Sequence, residues 1–231
     1  MSSNKIVNFY ETMPCKFKDI NLPNPNKKLH GFDIPFRMVI TSPSGGGKTL
    51  FITNLINLFS QGCGTFSSVT IITQNKDEPL YRFLESKSDQ IRVLEGLQSL
   101  PNLDGFDRET SSLVVIDDSQ GCKDQEKIKN FYIRGRKLNV SIAYLCQNYY
   151  VCPKVIRGNC NYLVLLRLSG DRELRMILRE VSLGVDKETL LNMYKEATNE
   201  KFHPLIVNIE SFDDTEKYRK GFTEFLNPSD F

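Results

Sequence analysis

Short apolar runs alternate with helical patterns along most of this chain. Seven runs, several of them rich in β-branched residues, predict strands over 36–40, 68–73, 91–94, 113–116, 140–146, 161–168 and 205–209. The intervening patterns predict helices over 50–59, 80–87, 122–137, 153–158, 172–181 and 187–198, the last two capped by Asp171 and Asp186. Wholly apolar strands that are separated by helices indicate a mainly parallel sheet covered on both faces. The predicted fold class is therefore three-layer α/β.

Composition agrees with one domain of ordinary size. The chain has 231 residues, of which 40% are hydrophobic, and a net charge of +2, which neither requires nor excludes nucleic acid as a partner. Residues 1–31 are polar and rich in Asn, Lys and Pro, so we expect an N-terminal arm, followed by a domain over 32–210 and a C-terminal tail over 211–231. We expect no signal peptide and no membrane-spanning segment, because the N-terminus is polar and no apolar run is long enough.

The six cysteines show no C-x-x-C pair and no zinc-like spacing with His30 or His203. Reduced thiols, several of them buried, are therefore expected.

The most informative segment is Ser42-Pro43-Ser44-Gly45-Gly46-Gly47-Lys48-Thr49. It lies between a predicted strand and a predicted helix, which is the context of a phosphate-binding P-loop. Backbone N–H groups of Ser44, Gly45, Gly46 and Gly47 would surround the phosphates of ATP, Lys48 would reach the β and γ phosphates, and Thr49 would ligate Mg²⁺. The alternative, a flexible glycine turn, does not account for the Lys-Thr pair. Ser42 replaces the usual first glycine, so modest strain is expected there.

A second acidic motif follows the apolar strand 113–116, at Asp117-Asp118. This is the Walker B pattern, in which a buried strand delivers a carboxylate to the metal at the carboxyl edge of the sheet. Asp117 would ligate Mg²⁺, and Asp118 would polarise the attacking water. The alternative is that both carboxylates cap the next helix.

Gln147 ends the apolar strand 140–146. In a parallel sheet it would lie at the same edge as the P-loop and Asp117, where an amide can orient the attacking water. A strand that lies between the P-loop strand and the Walker B strand distinguishes additional-strand P-loop ATPases from simple kinases, so Gln147 favours that class and predicts such an inserted strand. The alternative is a polar residue that merely ends a strand.

Arginines supply a further hypothesis. Arg134 and Arg136 precede a strand about 23 Å long, so they should lie at the edge opposite their own nucleotide and could reach a neighbouring subunit's nucleotide. Arg157 follows Gln147 and is the second candidate for this catalytic role. The alternative for the first pair is a solvated, basic helix end, and the basic stretch 123–137 could instead contact a phosphate backbone.

Together, the P-loop, Asp117-Asp118, the segment 134–150 and the following 153–159 resemble the poxvirus-type genome-packaging ATPases of large DNA viruses and virophages, in the FtsK–HerA superfamily. The resemblance covers most of residues 32–210. Two positions depart from the pattern: Ser42 replaces a glycine, and Asp118 is shorter than the glutamate of many superfamily members.

The resemblance implies a motor that uses ATP and Mg²⁺ to move double-stranded DNA into a preformed capsid. It implies a homo-oligomeric ring, a pentamer or hexamer, which meets the capsid or a portal-type vertex in the host cytoplasm (the viral factory) or the virion. Two rival functions stay open: a P-loop kinase that acts on a small molecule or nucleotide, and a nucleotide-switched scaffold.

Overall fold

The computed structural model describes residues 7–14, 18, 20–119, 125–182, 184–213 and 215–231. Within these residues one sheet of nine strands has the order β3-β2-β4-β5-β1-β6-β7-β8-β9. The strands are β1 (Arg37–Thr41), β2 (Ser68–Thr73), β3 (Ile91–Glu95), β4 (Ser112–Ile116), β5 (Val140–Cys146), β6 (Tyr162–Leu165), β7 (Leu205–Asn208), β8 (Tyr218–Lys220) and β9 (Glu224–Phe225).

The six strands at one side of the sheet, β3, β2, β4, β5, β1 and β6 in spatial order, pair in parallel. The strands β7, β8 and β9 then extend the sheet, each antiparallel to its predecessor. The α-helices are α1 (Phe9–Thr12), α2 (Lys27–His30), α3 (Lys48–Phe59), α4 (Pro79–Glu85), α5 (Glu126–Arg134), α6 (Lys154–Gly158), α7 (Asp171–Glu180) and α8 (Lys187–Ala197). In the described part of the chain, no helix is both long enough and apolar enough to cross a membrane.

The strands bury both of their faces, which explains why their sequences are apolar without alternation. On β1, Val39 packs into the cluster covered by α5 to α8, while Met38 and Ile40 pack into the cluster covered by α3 and α4. The same division recurs on β4 and β5. Two apolar clusters on opposite faces of one sheet confirm the predicted three-layer α/β class.

The position of β5 is the finding that matters most for the site. It lies between β1, which leads into the P-loop, and β4, which ends at Asp117. This is the inserted strand that was predicted from Gln147, and it brings the carboxyl ends of the three strands to one edge. The additional-strand architecture is therefore confirmed.

Three local predictions were wrong. The region 205–209 is not the last strand, because β8 and β9 extend the sheet. Asp171 is the first residue of α7 and makes no capping hydrogen bond, whereas Asp186 caps α8 by accepting from the N–H groups of Glu188 and Thr189. The predicted helix 122–137 begins, within the described residues, at Glu126 and ends in a 3₁₀ turn (Gly135–Leu138); its first residues lie outside the described ranges.

A buried arginine ties the segment before β1 to the antiparallel edge of the sheet. Arg219 on β8 is 1% exposed and donates hydrogen bonds to the carbonyl oxygens of His30, at 3.2 Å, and Phe222, at 2.7 Å. Its guanidinium lies 4.6 Å from the centroid of the Phe32 ring. Gly31 has φ +70°, and a Cβ there would lie 1.8 Å from the guanidinium Nη1, so only glycine fits.

Residues on both sides of the predicted divisions therefore pack together. Asn26 is buried and donates to the carbonyl oxygens of Phe59 and Gln61, both at 2.9 Å, although it lies in the predicted arm. The division of the chain into 1–31, 32–210 and 211–231 stays a prediction.

The four described cysteines are free thiols. Cys146, Cys152 and Cys160 are buried, and Cys63 is exposed.

Candidate nucleotide-binding site

The glycine-rich loop connects β1 to α3 in the conformation that its sequence predicts. Gly45 and Gly47 have φ values of +72° and +96°, in the left-handed region that favours glycine. Gly47 is also the N-cap of α3 and has no side chain to cap it, so the first N–H groups of the helix are left for another acceptor. A loop of this form at a helix N-terminus is suited to bind an anion.

Ser42 fits the loop without the predicted strain. Among the described residues, the only non-glycine residues with positive φ are Asp118, Asn139 and Phe202, so the expected strain at Ser42 is absent. The serine side chain instead restricts another position. A Cβ on Gly46 would lie 2.4 Å from the Ser42 Oγ and 2.9 Å from the Pro43 carbonyl oxygen. Gly46 is therefore required by packing alone, whereas Gly45 and Gly47 have backbone conformations that favour glycine.

Lys48 is folded back over the loop. Its Nζ donates to the carbonyl oxygens of Ser42, at 2.7 Å, and Pro43, at 3.0 Å. Burial lowers the pKa of Lys48, and the carboxylates of Asp117 and Asp118 oppose that shift. The lysine thus shares one electrostatic environment with both acidic residues of the Walker B motif, as the sequence predicted.

Asp117 stands at the end of β4 and is held by a tyrosine from α4. The Tyr81 hydroxyl donates to the Asp117 Oδ2 at 2.5 Å, and the Asp117 backbone N–H donates to the Ile72 carbonyl oxygen at 2.8 Å. Burial raises the pKa of Asp117, while the hydrogen bond from Tyr81 and the charge of Lys48 lower it. Burial and Asp117 together raise the pKa of Tyr81 well above its ordinary range, although a hydrogen bond with Thr49 lowers it.

Asp118 and Gln147 meet at the same edge. The Gln147 Nε2 donates to the Asp118 Oδ1 at 3.4 Å, and both side chains are exposed. Asp118 has φ +50°, a conformation that aspartate tolerates better than most residues. This contact joins the carboxyl ends of β4 and β5. The sequence predicted that both side chains lie at this edge, because each one follows a strand of a parallel sheet.

These residues line one cavity of about 420 Å³. Its wall includes five residues of the predicted phosphate loop and its helix, both acidic residues and the glutamine: Ser44, Gly45, Gly47, Lys48, Thr49, Asp117, Asp118 and Gln147. Gly46 belongs to the same loop but does not line the cavity.

Sequence reasoning missed several further lining residues: Thr73, Asn75, Glu78, Tyr81 and Phe202. Thr73 and Asn75 could have been found, because β2 also ends at this edge. Tyr81 and Phe202 had no local signal.

The three arginines lie apart from this cavity. Arg134 ends α5, and Arg136 lies in the turn before β5, so both are at the edge opposite Gln147, as predicted; Arg134 pairs with Asp104 at 3.2 Å. Arg157 lies beyond the carboxyl end of β5 on α6 and is largely buried. Its guanidinium lies 5.0 Å from the Tyr149 ring centroid and 4.8 Å from that of Tyr150.

The donor set fits a magnesium ion that is shared with phosphate. Thr49 and Asp117 present a hydroxyl and a carboxylate, the hard oxygen ligands that Mg²⁺ prefers, and they line one cavity. Among the residues that the structure describes, no group of three or more His, Cys, Asp or Glu side chains could hold a metal alone. Mg²⁺ that is bound through phosphates needs only one or two protein ligands.

Comparison with known proteins identifies the family. The model of the family described as Poxvirus A32 protein matches residues 26–220. The DNA packaging protein OPG160 of Variola virus is 28% identical over 178 residues, which is 69% of this chain and 63% of that protein. The protein of the same name from Vaccinia virus (strain Copenhagen) gives the same values. The chain thus spans a little under two thirds of the length of these relatives.

Solved structures agree on the fold. The genome packaging NTPase B204 from Sulfolobus turreted icosahedral virus 2, in complex with ATP-γS, superposes with a TM-score of 0.57 at 15% identity, over 79% of this chain and 96% of that one. EssC (ATPases 2 and 3) from Geobacillus thermodenitrificans gives a TM-score of 0.55 at 10% identity, over 85% of this chain and 40% of that one. At these identities the likeness shows the fold alone.

Proposed function

We propose, from the premise that this chain belongs to the Poxvirus A32 protein family, that it is an ATPase that drives double-stranded DNA into a preformed viral capsid. The observation that carries the proposal is the convergence of Lys48, Asp117, Asp118 and Gln147 on one cavity, at the carboxyl ends of β1, β4 and β5. The family relatives are DNA packaging proteins by name, and the neighbour B204 was solved with an ATP analogue. These names support the same substrate and partner here.

The binding roles follow from the loop geometry. The backbone N–H groups of residues 44–49 surround the β and γ phosphates of ATP, and Lys48 exchanges its two loop carbonyls for phosphate oxygens. Thr49 and Asp117 would hold Mg²⁺ against those phosphates. When bound, the ion neutralises charge that develops on the transferred phosphoryl group.

The chemical roles fall to Asp118 and Gln147. Both are exposed at the rim of the cavity and contact each other, so a water between them and the γ-phosphate would be oriented by an amide and polarised by a carboxylate. We assign the water-polarising role to Asp118 because Asp117 accepts a hydrogen bond from Tyr81 and would ligate Mg²⁺.

Assembly completes the site in this proposal. Arg134 and Arg136 lie too far from their own nucleotide to act on it, so we assign their catalytic role to the nucleotide of a neighbouring subunit in a homo-oligomeric ring, a pentamer or hexamer. Arg157 is the second candidate. The ring would act at a capsid or portal-type vertex, in the viral factory of the host cytoplasm or in the virion.

The test is phosphate release from ATP and Mg²⁺ without any acceptor, measured with and without double-stranded DNA and alongside the mass of the oligomer. We expect hydrolysis that DNA stimulates. A kinase would release no phosphate without an acceptor, and a nucleotide-switched scaffold would bind ATP without turning it over.

The matched variant is Lys48→Ala, which should abolish hydrolysis and weaken ATP binding, because Lys48 is the cation that borders the phosphate loop. Normal turnover in this variant would reject the assignment of the phosphate loop.

A further inference from the structure

Phe202 has an unusual backbone conformation beside the phosphate loop. Its φ is +69°, in the left-handed region, which a bulky side chain rarely adopts because the backbone is strained there. Such strain is concentrated at ligand-binding and active sites. Phe202 lies in the connection between α8 and β7. Its strained backbone therefore suggests a function at this position.

The ring lies directly on the loop. A Cβ on Gly47 would be 2.5 Å from Cδ1 of the Phe202 ring, so the aromatic side chain occupies the space where any other residue would have its side chain. The ammonium group of Lys201 lies 4.8 Å from the ring centroid. Even so, Phe202 is 38% exposed, so part of an aromatic ring is presented to solvent at the edge of the nucleotide cavity.

Phe202 and Leu50 both line the same pair of neighbouring cavities, which places them where the two meet. The first is the phosphate cavity. The second has a volume of about 590 Å³, and its walls are α3, the turn that precedes β7 and the turn that connects β8 to β9. The second cavity combines apolar side chains with six polar ones: Asn54, Glu200, His203, Lys220, Thr223 and Glu224. An apolar surface with a few hydrogen-bonding groups is the usual form of a site for a flat heterocycle.

The orientation of the nucleotide leads into this second cavity. Asp118 and Gln147 mark the end where the γ-phosphate lies, and the helix N-terminus binds the phosphates nearer the sugar. From that end of the loop, the sugar and base extend toward Leu50 and Phe202, the two residues that the phosphate cavity shares with the second cavity.

We infer that Phe202 is the stacking platform for the nucleobase and that the second cavity holds the base, a purine ring in the case of ATP. The inference rests on the proposed function, because it needs a nucleoside triphosphate on the phosphate loop. It assigns the strained backbone a purpose: the left-handed turn brings the ring onto Gly47, and the ring then forms one side of the base site.

The experiment compares Mg-ATP with inorganic tripolyphosphate, which has the phosphates but no base, by calorimetry. The variant is Phe202→Asn, because asparagine tolerates positive φ and so removes the ring without opposing the backbone. Stacking of a base on an aromatic side chain contributes about 1–3 kcal/mol, so ATP affinity should fall roughly 5- to 150-fold. Tripolyphosphate affinity should be unchanged, and Phe202→Tyr should restore ATP binding.

Phe83→Ala is the matched control. Phe83 is also exposed and has an ammonium group, that of Lys87, 4.7 Å from its ring centroid, but it lies on α4 and does not line either cavity. This variant should leave the affinities for both ligands unchanged.

The outcomes separate two failures. Equal loss of both ligands in Phe202→Asn would show that the ring only supports the loop, and no loss of either would show that the base lies elsewhere; both results overturn the inference and leave the proposed function in place. If the unaltered protein binds neither ligand, the proposed function fails and the inference fails with it.

Discussion

Removing one hydroxyl group from Tyr81 should change how the protein uses magnesium. Tyr81→Phe deletes the hydrogen bond to the Asp117 Oδ2, which is 2.5 Å long, and leaves the ring in its buried position. That hydrogen bond lowers the Asp117 pKa against the upward effect of burial. Without it the pKa of Asp117 rises further, and the carboxylate also loses the contact that fixes its orientation.

The expected loss of magnesium affinity can be estimated from the negative charge of Asp117, the group that accepts the Tyr81 hydrogen bond. A hydrogen bond to an ionised group contributes about 1.5–3 kcal/mol, and loss of a group that orients a metal ligand typically costs roughly 10- to 100-fold in metal affinity. We therefore expect the Mg²⁺ concentration for half-maximal ATPase activity to rise by about 10- to 100-fold. Because the metal needs the ionised carboxylate, the defect should be largest at low pH and should shrink as the pH rises.

The assay is a titration of steady-state ATPase activity with Mg²⁺ at fixed ATP, repeated at several pH values. Tyr162→Phe is the control, since Tyr162 also has its hydroxyl next to an aspartate, Asp33, but does not line the nucleotide cavity. An unchanged Mg²⁺ requirement for Tyr81→Phe at every pH would refute the role of Tyr81 in holding Asp117. If the loss of magnesium affinity is the same at every pH, Tyr81 orients the Asp117 carboxylate but does not lower its pKa.

Three further outcomes are expected. Asp117→Asn should abolish Mg²⁺-dependent ATP binding yet raise the Tm of the free protein by calorimetry, about 2–4 °C for each kcal/mol gained. Because burial raises the pKa of Asp117, its ionised form costs stability above the ordinary carboxyl pKa, so the gain should appear at neutral pH and vanish in acid. Asp118→Asn should keep Mg-ATP bound while turnover falls roughly 100-fold, and identical nucleotide titrations for the two asparagine variants would reject their separate roles. Mixing Arg136→Ala with Lys48→Ala subunits should restore part of the activity that each lacks alone, because some interfaces then combine an intact nucleotide site with an intact arginine. If mixed rings that are confirmed by mass show no recovery, Arg157 replaces Arg136 as the arginine that acts on the neighbouring subunit's nucleotide.

The sheet edge at the nucleotide site could be predicted from local sequence. Buried parallel strands have a strong apolar signal, and the residue after each strand must lie at their shared edge. This rule brings Lys48, Asp117 and Gln147 together from the sequence alone. The place of β5 between the P-loop strand and the Walker B strand follows instead from the class of additional-strand ATPases that Gln147 favours, and the sheet order confirms it. The rule depends on a few residues around each motif and on no long-range contact.

The remainder of the site depends on contacts that the local pattern does not contain. Tyr81 reaches Asp117 across 36 positions of sequence, and Phe202 meets Gly47 from the far end of the chain. The strands β8 and β9 were missed for a related reason: Tyr218–Lys220 is short and two of its three residues are basic, so no apolar run marks it. Long-range contacts make that strand part of the core: Tyr218 packs into the cluster covered by α5 to α8, and the segment before β1 encloses Arg219.

The enclosure of Arg219 also sets how the molecule opens. The hydrogen bond from Arg219 to the His30 carbonyl oxygen is buried and joins residues that are 189 positions apart in sequence, whereas the bond to Phe222 is local and only partly buried. The segment before β1 and strand β8 cannot separate without breaking this buried, charge-assisted hydrogen bond. Amide hydrogens of Phe32 and of β8 should therefore exchange with solvent deuterium through one shared opening event, with equal free energies, rather than as two independently fraying ends.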